Sequence, residues 1–295
     1  MSKIYEALKK LEAERHGAAG TNGHGNGNGN GNGHANGNGH HGNGHANGNG
    51  NGKRRWQDAI QWLFQGNGAR IKRNGGPVVN FELAPDAEEA YQRLGTNLLV
   101  GPGIEATQPP KLLGMVSSRH GEGTTTTAAV LSSILVRRRG GRVAVVEANF
   151  RSPGFETAFG IKRNGGLAEL VRGEQSLAEV AQATPIPQLF AIGCGHFEGQ
   201  PSALFDAPGF ATALTQLREH FDFVIFDMPP VNVYGDSLII GPRLDAAIIV
   251  IEADATRIPE VERARRTLER SGVRFVGSVL NRRRNYIPPF LEEML

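Results

Sequence analysis

The residues best equipped for chemistry lie between Ser117 and Thr127, where the chain reads Ser-Ser-Arg-His-Gly-Glu-Gly-Thr-Thr-Thr-Thr. An apolar run, Leu112 to Val116, precedes them, and a helix-like segment, Ala128 to Arg139, follows. Strand, glycine loop and helix in that order cradle nucleotide phosphates. Gly121 and Gly123 carry no Cβ, so the backbone can turn successive N–H groups toward phosphate oxygens, and the helix opening near Thr125 adds the positive end of its dipole. His120, Gly121, Glu122, Gly123, Thr124, Thr125 and Thr126 are therefore the expected phosphate-binding run. In a working loop a lysine after the last glycine bridges the β- and γ-phosphates, and the next hydroxyl, here Thr125, ligates Mg²⁺. The lysine position holds Thr124. A hydrogen bond to a charged group contributes about 1.5–3 kcal/mol, and losing one transition-state donor costs on the order of 10²–10³ in rate. Binding is thus expected to outlast turnover. A Gly- and Thr-rich turn without ligand is the competing reading.

Two further segments point to the same place. Arg142 to Pro153 reads as a buried strand that ends in the polar residues Glu147, Asn149 and Arg151. Phe221 to Pro230 repeats the pattern and ends in Asp227, a carboxylate suited to hold Mg²⁺ through water. An open α/β sheet binds ligands at such strand ends. Strands are expected near Lys111–Ser117, Arg142–Val146, Gln188–Ile192, Phe223–Phe226, Ala246–Ile251 and Phe275–Leu280. Helices are expected over Ala87–Val100, Thr125–Arg139, Leu167–Arg172, Ala203–His220 and Pro259–Ser271. Apolar strands alternating with helices imply a doubly wound α/β fold with a mostly parallel sheet covered on both faces.

These segments resemble the CpsD/CapB family of cytoplasmic bacterial tyrosine kinases of polysaccharide synthesis, relatives of MinD/ParA-type P-loop ATPases. The family's second motif reads Ile-Asp-Ala-Asp-Leu-Arg-Arg-Pro, and Val146 to Pro153 align with it, placing Glu147 and Asn149 at the two aspartates. The third motif is intact as Asp227, Met228, Pro229, Pro230 and Val231, with a downstream aspartate at Asp236. The similarity runs from about Glu88 to Tyr286. It implies ATP or ADP with Mg²⁺ as cofactor, Thr125 and Asp227 as metal ligands, and Asp227, Glu147, Asn149 and Arg151 as the catalytic set. It also implies an adenine contact at Asn281 and a membrane-embedded polysaccharide co-polymerase, or chain-length regulator, as partner. The departures gather at the chemistry. Glu147 can still reach a metal-bound water, being one methylene longer, but the amide of Asn149 cannot act as a base. The family's self-association motif, a glutamate with arginines three and six residues on, has Gln92 and Gly95 at the two arginine offsets from Glu89.

In a chain of 295 residues with one cysteine, Cys194, a disulfide framework is excluded and a reducing cytosol fits. The net charge is +3, and the clusters Lys53-Arg54-Arg55, Arg137-Arg138-Arg139 and Arg282-Arg283-Arg284 read as solvated faces, so no nucleic-acid partner is expected. Residues 1–16 form an amphipathic docking candidate on Ile4, Leu8 and Leu11. Residues 17–52 are an Asn-, Gly- and His-rich tract too polar to fold, a tether with a reach of about 35 Å. Residues 53–76 hold a second amphipathic stretch around Trp56, Ile60 and Leu63 plus a linker, and residues 77–295 form the folded domain. The location expected is the cytoplasm, at the inner face of the plasma membrane through a partner. Three functions compete: a kinase-like nucleotide-binding regulator of exopolysaccharide or capsule synthesis, weak or inactive in phosphoryl transfer; an active tyrosine kinase in which Arg119 or Arg151 replaces the lysine and Tyr286 is phosphorylated; and a ParA-like positioning or scaffold module without enzymatic activity.

Overall fold

A computed structural model describes Leu83, residues 85–100 and residues 109–283. The segments 1–16, 17–52 and 53–76, their histidines, and Tyr286 lie outside the described residues. In chain order the elements are α1 (Pro85–Val100), β1 (Leu112–Ser117), α2 (Thr124–Arg139), β2 (Val143–Glu147), α3 (Phe155–Phe159), α4 (Leu167–Arg172), α5 (Leu177–Val180), β3 (Gln182–Ala183), β4 (Leu189–Ile192), α6 (Pro201–Asp206), α7 (Pro208–His220), β5 (Phe223–Asp227), α8 (Asp236–Ile240), a 3₁₀ turn (Gly241–Arg243), β6 (Ala246–Glu252), α9 (Ile258–Arg270) and β7 (Phe275–Asn281).

The strands form one sheet in the order β3-β4-β2-β5-β1-β6-β7. Every pairing is parallel except β3 with β4. Successive side chains of a strand point to opposite faces, and here both faces are dry. Leu112, Val116, Ala144, Val146 and Phe226 join one core cluster with Phe205, Phe210 and Leu268 from α6, α7 and α9. Leu113, Met115, Val145, Ile225 and Ile248 join the other with Leu94, Leu131 and Phe155 from α1, α2 and α3. That explains the unbroken apolar runs of the central strands, where each buried Leu, Ile or Phe contributes about 1.5–3 kcal/mol. The fold is the expected doubly wound, mostly parallel α/β sandwich.

The expected helix Ala203–His220 is instead two helices, α6 and α7. Pro208 has no N–H to donate and pushes Ala207 into an extended conformation (φ −63°, ψ 143°), so α6 stops and α7 restarts with the proline in its first turn. The short helices α3, α5 and α8 and the two-residue antiparallel strand β3 are additions for which the sequence offered too few residues to show a period. β1 lies between β5 and β6, with β2 beyond β5. The phosphate-loop run therefore leaves the carboxyl edge of a central strand, beside the ends of β5 and β6.

Candidate nucleotide site

The loop between β1 and α2 is built on two left-handed glycines, Gly121 (φ 84°) and Gly123 (φ 91°). At Gly123 space as well as dihedral demands glycine, since a Cβ would lie 2.2 Å from Asn281 Nδ2. That Nδ2 donates to the Glu122 carbonyl at 2.9 Å, and Asn281 Oδ1 accepts the Arg282 N–H at 2.9 Å. The end of β7 is thus fastened to the loop, each end of the Asn281 amide making one bond to the chain itself. The N–H and hydroxyl of Thr127 both donate to the Gly123 carbonyl, each at 2.9 Å, and start α2.

Glu122 holds the loop from inside. Its side chain is fully buried. Oε2 accepts the Ser118 N–H at 2.6 Å, the Ser118 hydroxyl at 2.9 Å and the Arg119 N–H at 2.9 Å. Oε1 accepts the Thr256 hydroxyl and, more distantly at 3.4 Å, the Glu252 N–H. One carboxylate therefore ties the first half of the loop to the segment that follows β6. Glu122 sits in the expected phosphate-binding run, yet its carboxylate serves the loop backbone.

Thr125, in the first turn of α2, donates its hydroxyl to Asp227 Oδ2 at 2.5 Å. Asp227 closes β5 and is 1% exposed, and its Oδ1 is buried without a hydrogen-bond partner. Burial raises its carboxyl from the ordinary 3.8 to about 7; the Thr125 hydrogen bond pulls it down and the negative Glu147 adds to the rise. A buried oxygen lacking a partner beside a hydroxyl fits a hard, hydrated cation such as Mg²⁺, which Asp227 and Thr125 would hold and which would relieve the carboxylate. Among the described residues no group of three or more His, Cys, Asp or Glu gathers as a metal cluster.

The second-motif residues are otherwise engaged. Glu147 is buried, and its Oε1 accepts the N–H groups of Gly154 and Phe155 at the start of α3, the latter at 2.8 Å. Its Oε2 accepts the Cys194 N–H at 3.1 Å and the thiol at 3.3 Å. The extra methylene that was expected to reach a metal-bound water instead lets Glu147 cap a helix and bind the β4 loop. Burial and the Glu147 charge push the Cys194 thiol up to about 12. Asn149 Oδ1 accepts the Ser152 N–H at 3.3 Å in its own turn. Arg151 Nε pairs with Asp236 Oδ2 at 3.1 Å, its Nη2 reaches Gln200 at 3.4 Å, and its Cζ lies 5.0 Å from the Tyr234 ring centroid. His120 meets the same ring edge-on at 5.4 Å. Arg119 pairs at 3.5 Å with Glu252, which also pairs with Arg282 at 2.9 Å. Thr124 is buried, and Thr126 is partly exposed. The loop residues, Thr125, Asp227 and Asn281 come together at one edge of the sheet, whereas Arg151 is drawn to Asp236. Sequence reasoning missed Thr256, Glu252 and Gln200; a carboxylate at the end of β6 was the one signal available.

No protein-family model matches the chain. Among curated proteins, tyrosine-protein kinase CpsD of Streptococcus pneumoniae serotype 4 is 29% identical over 203 residues, 68% of this chain and 86% of that protein. Tyrosine-protein kinase YwqD of Bacillus subtilis is 25% identical over 219 residues, 74% of this chain and 90% of its own. Among solved structures the chimeric protein CapA2B2 superposes with a TM-score of 0.66 at 23% identity, covering 78% of this chain and 99% of that one. The septum site-determining protein MinD of Pyrococcus horikoshii, solved with Mg-ADP, has a TM-score of 0.51 at 21% identity over 62% of this chain and 76% of that one. At those identities the structures speak for the fold, and the curated relatives for descent. The chain is a relative of the CpsD, CapB and YwqD tyrosine-protein kinases, built on a MinD-like phosphate-loop fold with altered motifs.

Proposed function

We propose that this protein binds ADP or ATP with Mg²⁺ and serves as a kinase-like regulator of exopolysaccharide or capsule synthesis or export, with weak or no phosphoryl transfer. The observation that carries the reading is the contrast within one site. The left-handed glycines of the loop, the Thr125 hydroxyl and the partnerless Asp227 oxygen support binding of a hydrated cation and a phosphate chain, while the lysine position holds a buried threonine. The carboxylate at position 147 is consumed by backbone donors, and position 149 offers an amide with no useful basicity. The site supports gripping a nucleotide better than turning it over.

The partner in this reading is a membrane-embedded polysaccharide co-polymerase, which would hold the protein at the inner membrane face. No helix among the described residues is long and apolar enough to cross a membrane. The test is calorimetry of the purified full chain with Mg-ADP and Mg-ATP, followed by an autophosphorylation assay. Micromolar binding with little phosphotyrosine is expected. Robust Mg²⁺-dependent tyrosine phosphorylation would refute the inactive part, and absence of binding the whole.

A further inference from the structure

A polyphosphate in this cradle lacks the ammonium that ordinarily neutralises it, and two arginines of the chain are near enough in sequence to replace it. The structure holds them very differently. Arg151 is gripped on three sides, by the buried carboxylate of Asp236 at 3.1 Å, by Gln200, and by the face of Tyr234. Drawing it toward phosphate would strand Asp236, which is 5% exposed at its side chain. Arg119 makes one ion pair, a long one at 3.5 Å, to a Glu252 whose other oxygen already serves Arg282 at 2.9 Å. Its Nε is buried without a hydrogen-bond partner. Two guanidinium groups share one carboxylate, and the looser of them starts inside the phosphate loop.

The backbone of Arg119 is fixed at the same time, because its N–H donates to the buried Glu122 carboxylate at 2.9 Å. The side chain thus swings from an anchored point two residues ahead of Gly121. We propose that Arg119 is the cation that grips the polyphosphate in this protein, and that Glu252 is the internal carboxylate from which the ligand takes it. The inference rests on the nucleotide reading above. Phosphate oxygens offer a guanidinium the planar two-point pairing that a shared carboxylate at 3.5 Å does not. Glu252 would not be left uncompensated when Arg119 departs, since Arg282 keeps it neutral. The exchange also gives the otherwise partnerless Nε an acceptor.

The test is a calorimetric set on the full chain with two probes, Mg-ADP and inorganic pyrophosphate, and with melting temperatures to show that each variant is folded. Arg119→Ala is expected to weaken both probes about tenfold or more, and Arg119→Lys to recover part of the loss. Glu252→Gln is expected to tighten both several-fold, Arg282→Ala to weaken them by giving Glu252 wholly to Arg119, and the Arg119→Ala/Glu252→Gln double variant to match Arg119→Ala. Affinity unchanged in Arg119→Ala, or a Glu252→Gln gain that persists without Arg119, would overturn the assignment while leaving the nucleotide reading intact. Failure of both wild type and Glu252→Gln to bind either probe would overturn the two together.

Discussion

Replacing Glu122 with alanine removes the acceptor of two close backbone N–H groups, those of Ser118 and Arg119, of the more distant Glu252 N–H, and of the hydroxyls of Ser118 and Thr256. Ser118 and Glu122 are both fully buried, so water reaches the orphaned donors only if the loop opens. A hydrogen bond to a charged group is worth about 1.5–3 kcal/mol, and the hydroxyls can turn to other acceptors while the two amides cannot. Counting the Ser118 and Arg119 amides alone gives roughly 3–6 kcal/mol, which overlaps the cost of about 3–5 kcal/mol typical of breaking a buried charged pair. For a domain near 200 residues each kcal/mol lowers the melting temperature by about 2–4 °C, so a drop of roughly 10 °C is expected. Thermal unfolding of wild type and Glu122→Ala measures it, and urea unfolding the free energy behind it, with Glu122→Gln falling between them because the amide still accepts at one end. Mg-ADP affinity should fall with stability, since the loop that aims the phosphate donors loses its brace. A Glu122→Ala protein within about 0.5 kcal/mol of wild type would refute the brace.

Thr124→Lys should tighten Mg-ADP and Mg-ATP by less than about tenfold in calorimetry, because Arg119 already supplies a cation, and by about 10- to 100-fold in the Arg119→Ala background, while phosphotyrosine stays low because Asn149 and the committed Glu147 are unchanged. A gain as large with Arg119 present as without it would show that Arg119 does not do that work. Asp227 carries a carboxyl raised from 3.8 to about 7, so ionising it costs the folded state more than the unfolded one. Its effect is absent below about pH 4, grows as pH rises toward 7, and levels off above, with a ceiling of about 4 kcal/mol at 1.4 kcal/mol per unit. The stability gap between Asp227→Asn and wild type without nucleotide should widen in the variant's favour over that window, and a flat gap would contradict the burial argument. Gly166→Ala places a Cβ 2.1 Å from the Gly193 carbonyl and 2.5 Å from the Gly195 nitrogen, backbone atoms that cannot swing away. It should lower the urea midpoint by an amount equivalent to about 1–3 kcal/mol.

The central strands were legible because a strand buried on both faces must be apolar throughout, and Leu112 to Val116 and Phe223 to Phe226 are. Their polar ends, Ser117 and Asp227, marked the edge of the sheet that carries the candidate site for the same reason. What the sequence hid were contacts between distant segments. Thr256 meets Glu122 across 134 residues, and no local period announces that pair. Glu147 aligned with an acidic position, and only the fold showed that its longer side chain reaches the backbone of Gly154, Phe155 and Cys194. The break at Ala207 was readable from Pro208, but the spacing of Ala203, Ala207, Phe210, Leu214 and Leu217, four and three residues apart in turn, runs through it and favours a continuous helix. Likewise Arg119 and Arg151 look equivalent as sequence, and their difference lies wholly in what Glu252 and Asp236 do elsewhere.

The thiol of Cys194, buried against Glu147, has a practical use. It is the chain's single cysteine, and with its proton held up to about pH 12 it offers almost no thiolate to an alkylating reagent at neutral pH. Native protein should therefore stay unlabelled until the junction between β4 and α3 parts. Alkylation rate then reports that local opening directly, and a cysteine introduced on the surface would take a fluorophore without any background from the wild-type residue.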